Sequence, residues 1–281
     1  MRRANVWDAL HFEFMRNALL AGILVSIACG IIGTLVVVNR IVFISGGIAH
    51  AAYGGIGIAF YTGIPPSLGA ALFSFVVSMI MGVASLKNKQ RVDAIIGVMW
   101  AVGMALGILL IDLTPGYNVD LMSYLFGSIL TVAASDIWFM ISLDVVVLLV
   151  VLIFYKEFLA MSYDEEFSFV VGIPVKALYF VLLGMIALSV VMIIQVVGLI
   201  LVIALLSIPP YIAEKYTTSL GKMMILSSLL GALFSITGLW FSYHYNLTSG
   251  ATIIMVAGLA FLISLASDFL RGPSKKQQLA H

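Results

Sequence analysis

"FMRNALLAGILVSIACGIIGTLVVV", Phe14 to Val38, carries a single charge, Arg16. A helix rises about 1.5 Å per residue and the hydrocarbon core of a bilayer is about 30 Å thick, so about 20 apolar residues cross it. This run is long enough to cross and too long for the apolar part of a cleavable signal. The rest of the chain repeats the pattern. Of 281 residues, 63% are hydrophobic and 10% charged, where a soluble domain carries about 25% charged. That leaves too little polar surface to cover a water-soluble globule. The chain therefore reads as a polytopic membrane protein with the lipid bilayer as its solvent. Backbone groups in lipid must bond within their own segment, so the spans are helices. Continuous apolar runs do not fit the alternating strands of a barrel. The net charge of +1 gives no basis for nucleic-acid binding. The lone Cys29 excludes an intrachain disulfide.

Nine candidate spans follow: 15–38, 46–62, 67–86, 93–112, 136–155, 177–195, 197–213, 220–243 and 251–270. The second and third are split by Gly63-Ile64-Pro65-Pro66, the sixth and seventh around Gln195, near Gly198. The expectation is one all-α membrane domain over 1–281, with about nine spans (eight to ten). "LMSYLFGSILTVAA", 121–134, is apolar but short, and reads as a re-entrant or interfacial segment or a tenth span. Charge bears on this. If the segment does not cross and the N-terminus is outside, only Arg2, Arg3 and Arg16 of the 14 basic residues lie outside. The other eleven lie in the cytoplasm, as the positive-inside rule favours. Residues 1–13, with Trp7 as anchor, are then an outer interfacial segment, and 272–281 a cytoplasmic tail.

The longest polar interruption is "KEFLAMSYDEEFSFVVGIPVK", 156–176. Ser162 and Glu165 have capping-box spacing, and Asp164, Glu165 and Glu166 suit the positive end of a helix dipole. Gly172 fits a left-handed helix stop and Pro174 blocks continuation. The spacing predicts a helix over 163–171 whose Phe167, Phe169, Val170 and Val171 have nothing of their own to cover. It is either a helix lying on the membrane surface or a docking helix for a soluble partner.

No Walker-type phosphate loop, H-E-x-x-H or C-x-x-C occurs. No catalytic group is therefore expected, and ATP-driven work would need another chain. The ionisable residues inside spans are the candidate site, because lipid makes them costly. His50 stands among glycines and alanines near the start of the second span. Its imidazole either hydrogen-bonds a neighbouring helix or serves a functional path. Asp93 opens the fourth span, as a dipole partner or a path residue. Asp144 lies about a third of the way into the fifth, where an unpaired carboxylate costs about 2.5–3.5 kcal/mol. Asp112 and Asp120 read as a solvated outer rim. His244, between Tyr243 and Tyr245, reads as part of an interfacial belt.

Six segments in order carry a family likeness: "NALLAGILVSIACGIIGTLVVVNRIVFISGGIAHAAYGGIGIAF", "VDAIIGVMWAVGMALGILLI", "DLMSYLFGSIL", "SYDEEFSFVVGIP", "VVGLILVIALLSIPPYIA" and "NLTSGATIIMVAG". Together, from Asn17 to Asp268, the chain resembles a membrane permease of the zinc/manganese/iron class of ABC importers. The resemblance implies the all-helical type II fold shared with vitamin B12 importers. It implies a homodimer, a separate ABC ATPase on the cytoplasmic side and an extracellular or periplasmic metal-binding protein. It places the protein in the inner (plasma) membrane, N-terminus outside and C-terminus inside. The divalent metal (zinc, manganese or iron) is cargo, with no permanently bound cofactor. His50 and Asp93 become metal-path candidates; Asp144, which has no clear family counterpart, is a further candidate from its place inside a span. Asp164, Glu165, Glu166, Phe167, Phe169, Gly172 and Pro174 become the ATPase-coupling segment. One departure stands out: Gly47 occupies a position where the family often has aspartate. The competing function is an ion-coupled secondary transporter using His50 and Asp144, with helix breaks at Pro65-Pro66 and Pro209-Pro210.

Overall fold

Small side chains decide which helices sit at the centre. The computed structural model describes residues 12–88, 90–115, 127 and 129–271, without the side chains of 195–197, 199, 200, 270 and 271. Within them the chain is helical apart from turns: α1 (Glu13–Val38), α2 (Val42–Thr62), α3 (Pro66–Lys87), α4 (Val92–Asp112), α5 (Ala134–Ile153), α6 (Tyr155–Tyr163), α7 (Glu165–Val170), α8 (Val175–Val197), α9 (Leu199–Tyr216), α10 (Leu220–Tyr245) and α11 (Ser249–Arg271). Eight of these are long and apolar enough to cross a membrane. The seventh expected span, 197–213, is the 18-residue α9. Residues 1–11 of the interfacial segment, half of 121–134, Asp120, the tail 272–281 and the Gln195 side chain lie outside the described residues.

In α2, 78% of the apolar window is buried, against 22% in α4. Gly46, Gly47, Gly54, Gly55 and Gly57 with Ala49, Ala51, Ala52 and Ala59 are all buried along α2. Without bulky side chains the backbones close up, which is the main source of helix attraction in lipid. A Cβ on Gly54 would stand 2.8 Å from the Gly103 carbonyl oxygen of α4, and one on Gly69 of α3 2.7 Å from Ala59 Cβ. So α2 is wedged between α3 and α4. On the other side, α1 packs on α10, α9 and α5, while α8 bridges α3, α2 and α9.

The seam between α1 and α10 is polar at its centre. Ser26 Oγ and Ser235 Oγ are 3.3 Å apart, as are Thr34 Oγ1 and Ser227 Oγ. Ser26 and Thr34 also donate to carbonyls one turn back, at 2.6 and 2.7 Å. Every buried hydroxyl in this seam is thereby satisfied without a charge. At one end of the bundle, Lys215 of α9 pairs with Asp268 of α11 and donates to Ser264 at 3.1 Å.

Several sequence expectations are corrected. The polar interruption 156–176 is mostly helix, because α5 ends at Ile153 and α6 starts at once, anchored by buried Phe158 and Met161. Ser162 is inside α6 and does not cap. The cap is Asp164, in extended conformation, whose Oδ1 accepts from Phe167 N at 2.9 Å. The helix expected over 163–171 therefore spans 165–170. Gly172 does take the left-handed stop position, at φ +93°, and Pro174 caps α8. Pro209 and Pro210 sit inside a continuous α9 instead of breaking it. Gly198, at φ +78°, is the joint between α8 and α9. Asp144 falls near the middle of α5, since that helix starts two residues earlier than its apolar run suggests.

Candidate functional site

His50 is presented by α2 toward α4, in the register set by the glycine contacts above. Its ring lies flat on Trp100, with centroids 4.0 Å apart and planes 3° from parallel. Trp100 in turn donates its indole N–H to Met104 Sδ at 3.0 Å, one turn along α4. Phe43, two turns below His50 on α2, approaches the same indole at 6.4 Å. His50 is partly exposed, yet its Nδ1 is buried with no hydrogen-bond partner. Nδ1 is therefore not oriented by a hydrogen bond from any described residue.

Asp93 is on the same face of α4 as Trp100, seven residues earlier, hence about 10 Å further down the helix. It is not a helix cap: Arg91 holds that position, and Asp93 sits exposed in the first turn. There it lines a cleft of about 370 Å³ together with Arg40, Phe43, Ser85, Lys176 and Tyr179. One seam thus runs from His50 through Trp100 and Phe43 to Asp93 and the cleft. The turn after α1, the ends of α3 and α6, and the starts of α4, α7 and α8 all meet at this cleft.

Asp144 is elsewhere. It is on the buried stripe of α5, 7% exposed, with both carboxylate oxygens lacking partners. That stripe packs chiefly on α1. Among the described residues no three His, Cys, Asp or Glu side chains gather as a metal cluster. His50 and Asp93 share a seam at different depths; Asp144 belongs to a different helix pair. Sequence reading missed Trp100 and Met104. Their helical offset from Asp93 was a usable signal, but only the pairing of α2 with α4 gives it meaning.

Gly47 answers for the absent aspartate. A Cβ there would press into Ile96 and lie 3.2 Å from Met81 Cε, and both of those side chains are buried. The space an acid would use is filled by hydrocarbon.

The coupling segment stands on the cleft face. Tyr155 of α6 accepts a hydrogen bond from Gly221 N of α10 at 3.0 Å, and Ser162 accepts from Asn39 at 3.1 Å. These two bonds fix α6 to the ends of α10 and α1. Beyond it, α7 exposes Phe167, Phe169, Val170 and Val171, the third by 81%. Glu165, Glu166 and Phe169 also border a second, open cleft against the ends of α3 and α8. At the opposite end of the bundle, His244 stacks on Trp240 at 5.5 Å beside Phe241 and Tyr245, an aromatic belt.

Comparison with known proteins agrees with this arrangement. Residues 11–268 match the ABC 3 transport family. An uncharacterized membrane protein of Synechocystis sp. is 55% identical over 92% of both chains. A manganese transport system membrane protein of Listeria monocytogenes is 35% identical over 91% of both. Among solved structures, PsaBC from Streptococcus pneumoniae in complex with Fab superposes with a TM-score of 0.83 at 32% identity, covering 92% of this chain and 93% of that one.

Proposed function

This chain belongs to the ABC 3 transport family, and from that membership we propose that it is the membrane permease of an ATP-driven importer of divalent transition-metal ions, manganese first among them. It is a transport subunit and not an enzyme; ATP is hydrolysed by a separate subunit. Its fold is the all-helical type II permease fold. The competing ion-coupled transporter loses its footing with the family assignment and the unbroken α9.

The observation that carries the reading is α7. A capped helix that leaves two phenylalanines and two valines uncovered, beside the basic turns Arg40, Lys87 and Lys176, is a helix built to be covered by another protein. The partner is the ATPase, and the α7 face is cytoplasmic because basic turns gather there. This orientation puts the N-terminus outside, the C-terminus inside and the His244 belt at the outer surface of the plasma membrane. A metal-binding protein delivers cargo at that outer end. Two permease copies enclose the path, the second covering the exposed part of His50. The metal passes His50 and then Asp93 before reaching the cleft. One imidazole followed by one carboxylate holds manganese, zinc or iron weakly, as transit requires. Asp144 stands off this route. The resident chemistry is that of side chains alone, with the metal as cargo.

The test is manganese-54 uptake by proteoliposomes holding permease, ATPase and binding protein. ATP-dependent uptake that His50→Ala abolishes supports the reading. Full uptake by the permease alone, driven by an ion gradient, overturns the ATPase assignment. Unchanged uptake by His50→Ala at all metal concentrations removes His50 from the path.

A further inference from the structure

Metal-binding histidines are usually aimed by a hydrogen bond from the second ring nitrogen to a carboxylate or carbonyl, which fixes the ring plane. Among the described residues His50 Nδ1 has no such bond. Something else holds the ring, and the contacts identify it. We propose that Trp100 is a positioning residue for the metal path, aiming the His50 imidazole by stacking instead of by hydrogen bonding.

Three observations support this, and the inference rests on His50 being on the path. The first is the overlap itself. At 4.0 Å and 3° the two rings are parallel, so rotation of the imidazole out of its plane drives its edge into the indole. A ligand bond to imidazole lies in the ring plane, along a nitrogen lone pair. A ring stacked on one face therefore restrains the ring and leaves that direction open. The second is that Trp100 is itself held. Its Nε1–H donates to Met104 Sδ at 3.0 Å, Met104 packs against the main core, and Phe43 closes on the indole from α2. The third is the packing on either side. Gly54 against Gly103 brings α2 and α4 to near contact one turn beyond the pair. One turn before it, the Ile96 side chain of α4 fills the space at Gly47. The stack is thus set at a fixed spacing by the seam, not by its own attraction.

A tryptophan is suited to this task in lipid. It offers a wide flat face with no charge, and its one polar group is occupied by a sulfur on its own helix. An acid in the same role would add a negative charge beside the cargo. Stacking orients His50 without adding a ligand, which keeps the site a weak one.

Two measurements test this in the assembled transporter. In manganese uptake, Trp100→Leu is expected to raise the half-saturating manganese concentration about tenfold, the usual cost of losing an orienting partner. The maximal rate stays within about twofold, and Trp100→Phe, which keeps a stacking face, recovers most of the affinity. The second is emission from Trp100 alone, in a chain with Trp7, Trp138 and Trp240 changed to Phe. Manganese(II) at His50 quenches this signal, and His50→Ala removes the quenching. Uptake by Trp100→Leu that matches the parent, while His50→Ala is impaired, overturns the positioning role and leaves His50 on the path. Normal uptake by His50→Ala overturns both. Quenching that persists in His50→Ala also overturns the proposal. If Trp100→Leu fails to assemble, Trp100→Phe and the quenching still decide it.

Discussion

Gly47 and Arg40 show how one residue's backbone surroundings limit what it can be. An aspartate at 47 would have to displace buried Ile96 and Met81. Overpacking alone costs about 1–3 kcal/mol, and a carboxylate in hydrocarbon about as much again. Gly47→Asp is therefore expected to destabilise the permease by roughly 3 kcal/mol or more and to bring no gain in uptake. Thermal unfolding of the purified protein in detergent measures it, and a variant as stable as the parent would show the space is open. Arg40 is the opposite case. It ends α1 at φ +58°, with Ile41 N bonded to Val36 O and Arg40 N to Val37 O. This is the closing position that glycine usually takes. A side chain there costs about 1–2 kcal/mol, partly offset by the lower entropy of the unfolded chain. Arg40→Gly is expected to stabilise the fold by about 0.5–1 kcal/mol; a lower melting temperature would show that the guanidinium contributes more than the strain takes away.

At the scale of elements, the proposed coupling rests on the short helices and the proposed path on the glycine seam. Legibility differed between them. Asp164, Gly172 and Pro174 punctuate the α7 region in sequence, because caps and stops are made by residues adjacent to the helix they bound. The start was misplaced all the same, since Ser162 is drawn into α6 by the burial of Phe158 and Met161 on that helix. The exposed side chains of α7 lead to a clear expectation. Phe167→Ala combined with Val170→Asp should abolish copurification of the ATPase while the melting temperature of the permease stays within about 2 °C. The reason is that both positions are open to solvent in the protomer, where substitutions usually cost under about 0.5 kcal/mol. Retained copurification would mean that the partner docks elsewhere.

For the whole molecule, the decisive feature is that the helix turns near Arg40, Lys87, Lys176 and Lys222 share one end of the bundle, while the His244 belt marks the other. Cysteines placed at exposed positions check the orientation directly, and Cys29 is buried and gives no background. Val171→Cys should react with a membrane-impermeant maleimide only from the cytoplasmic side, and Leu247→Cys only from outside. The reverse labelling would invert the topology. The sequence by itself determined the helical class, the approximate spans, the charge bias and the short helix between α6 and α8. Those are written in local composition and in residues a few positions apart, and lipid enforces them segment by segment. Only the tertiary structure decided that His50 meets Trp100 fifty positions away and that Asp93 continues the same seam. It also decided that Asp144 faces α1 instead. Nearly every face of a membrane helix is apolar, so hydrophobic pattern does not say which face meets which neighbour. That choice is made by the fit of glycine against backbone between distant helices, and it exists only once they are packed.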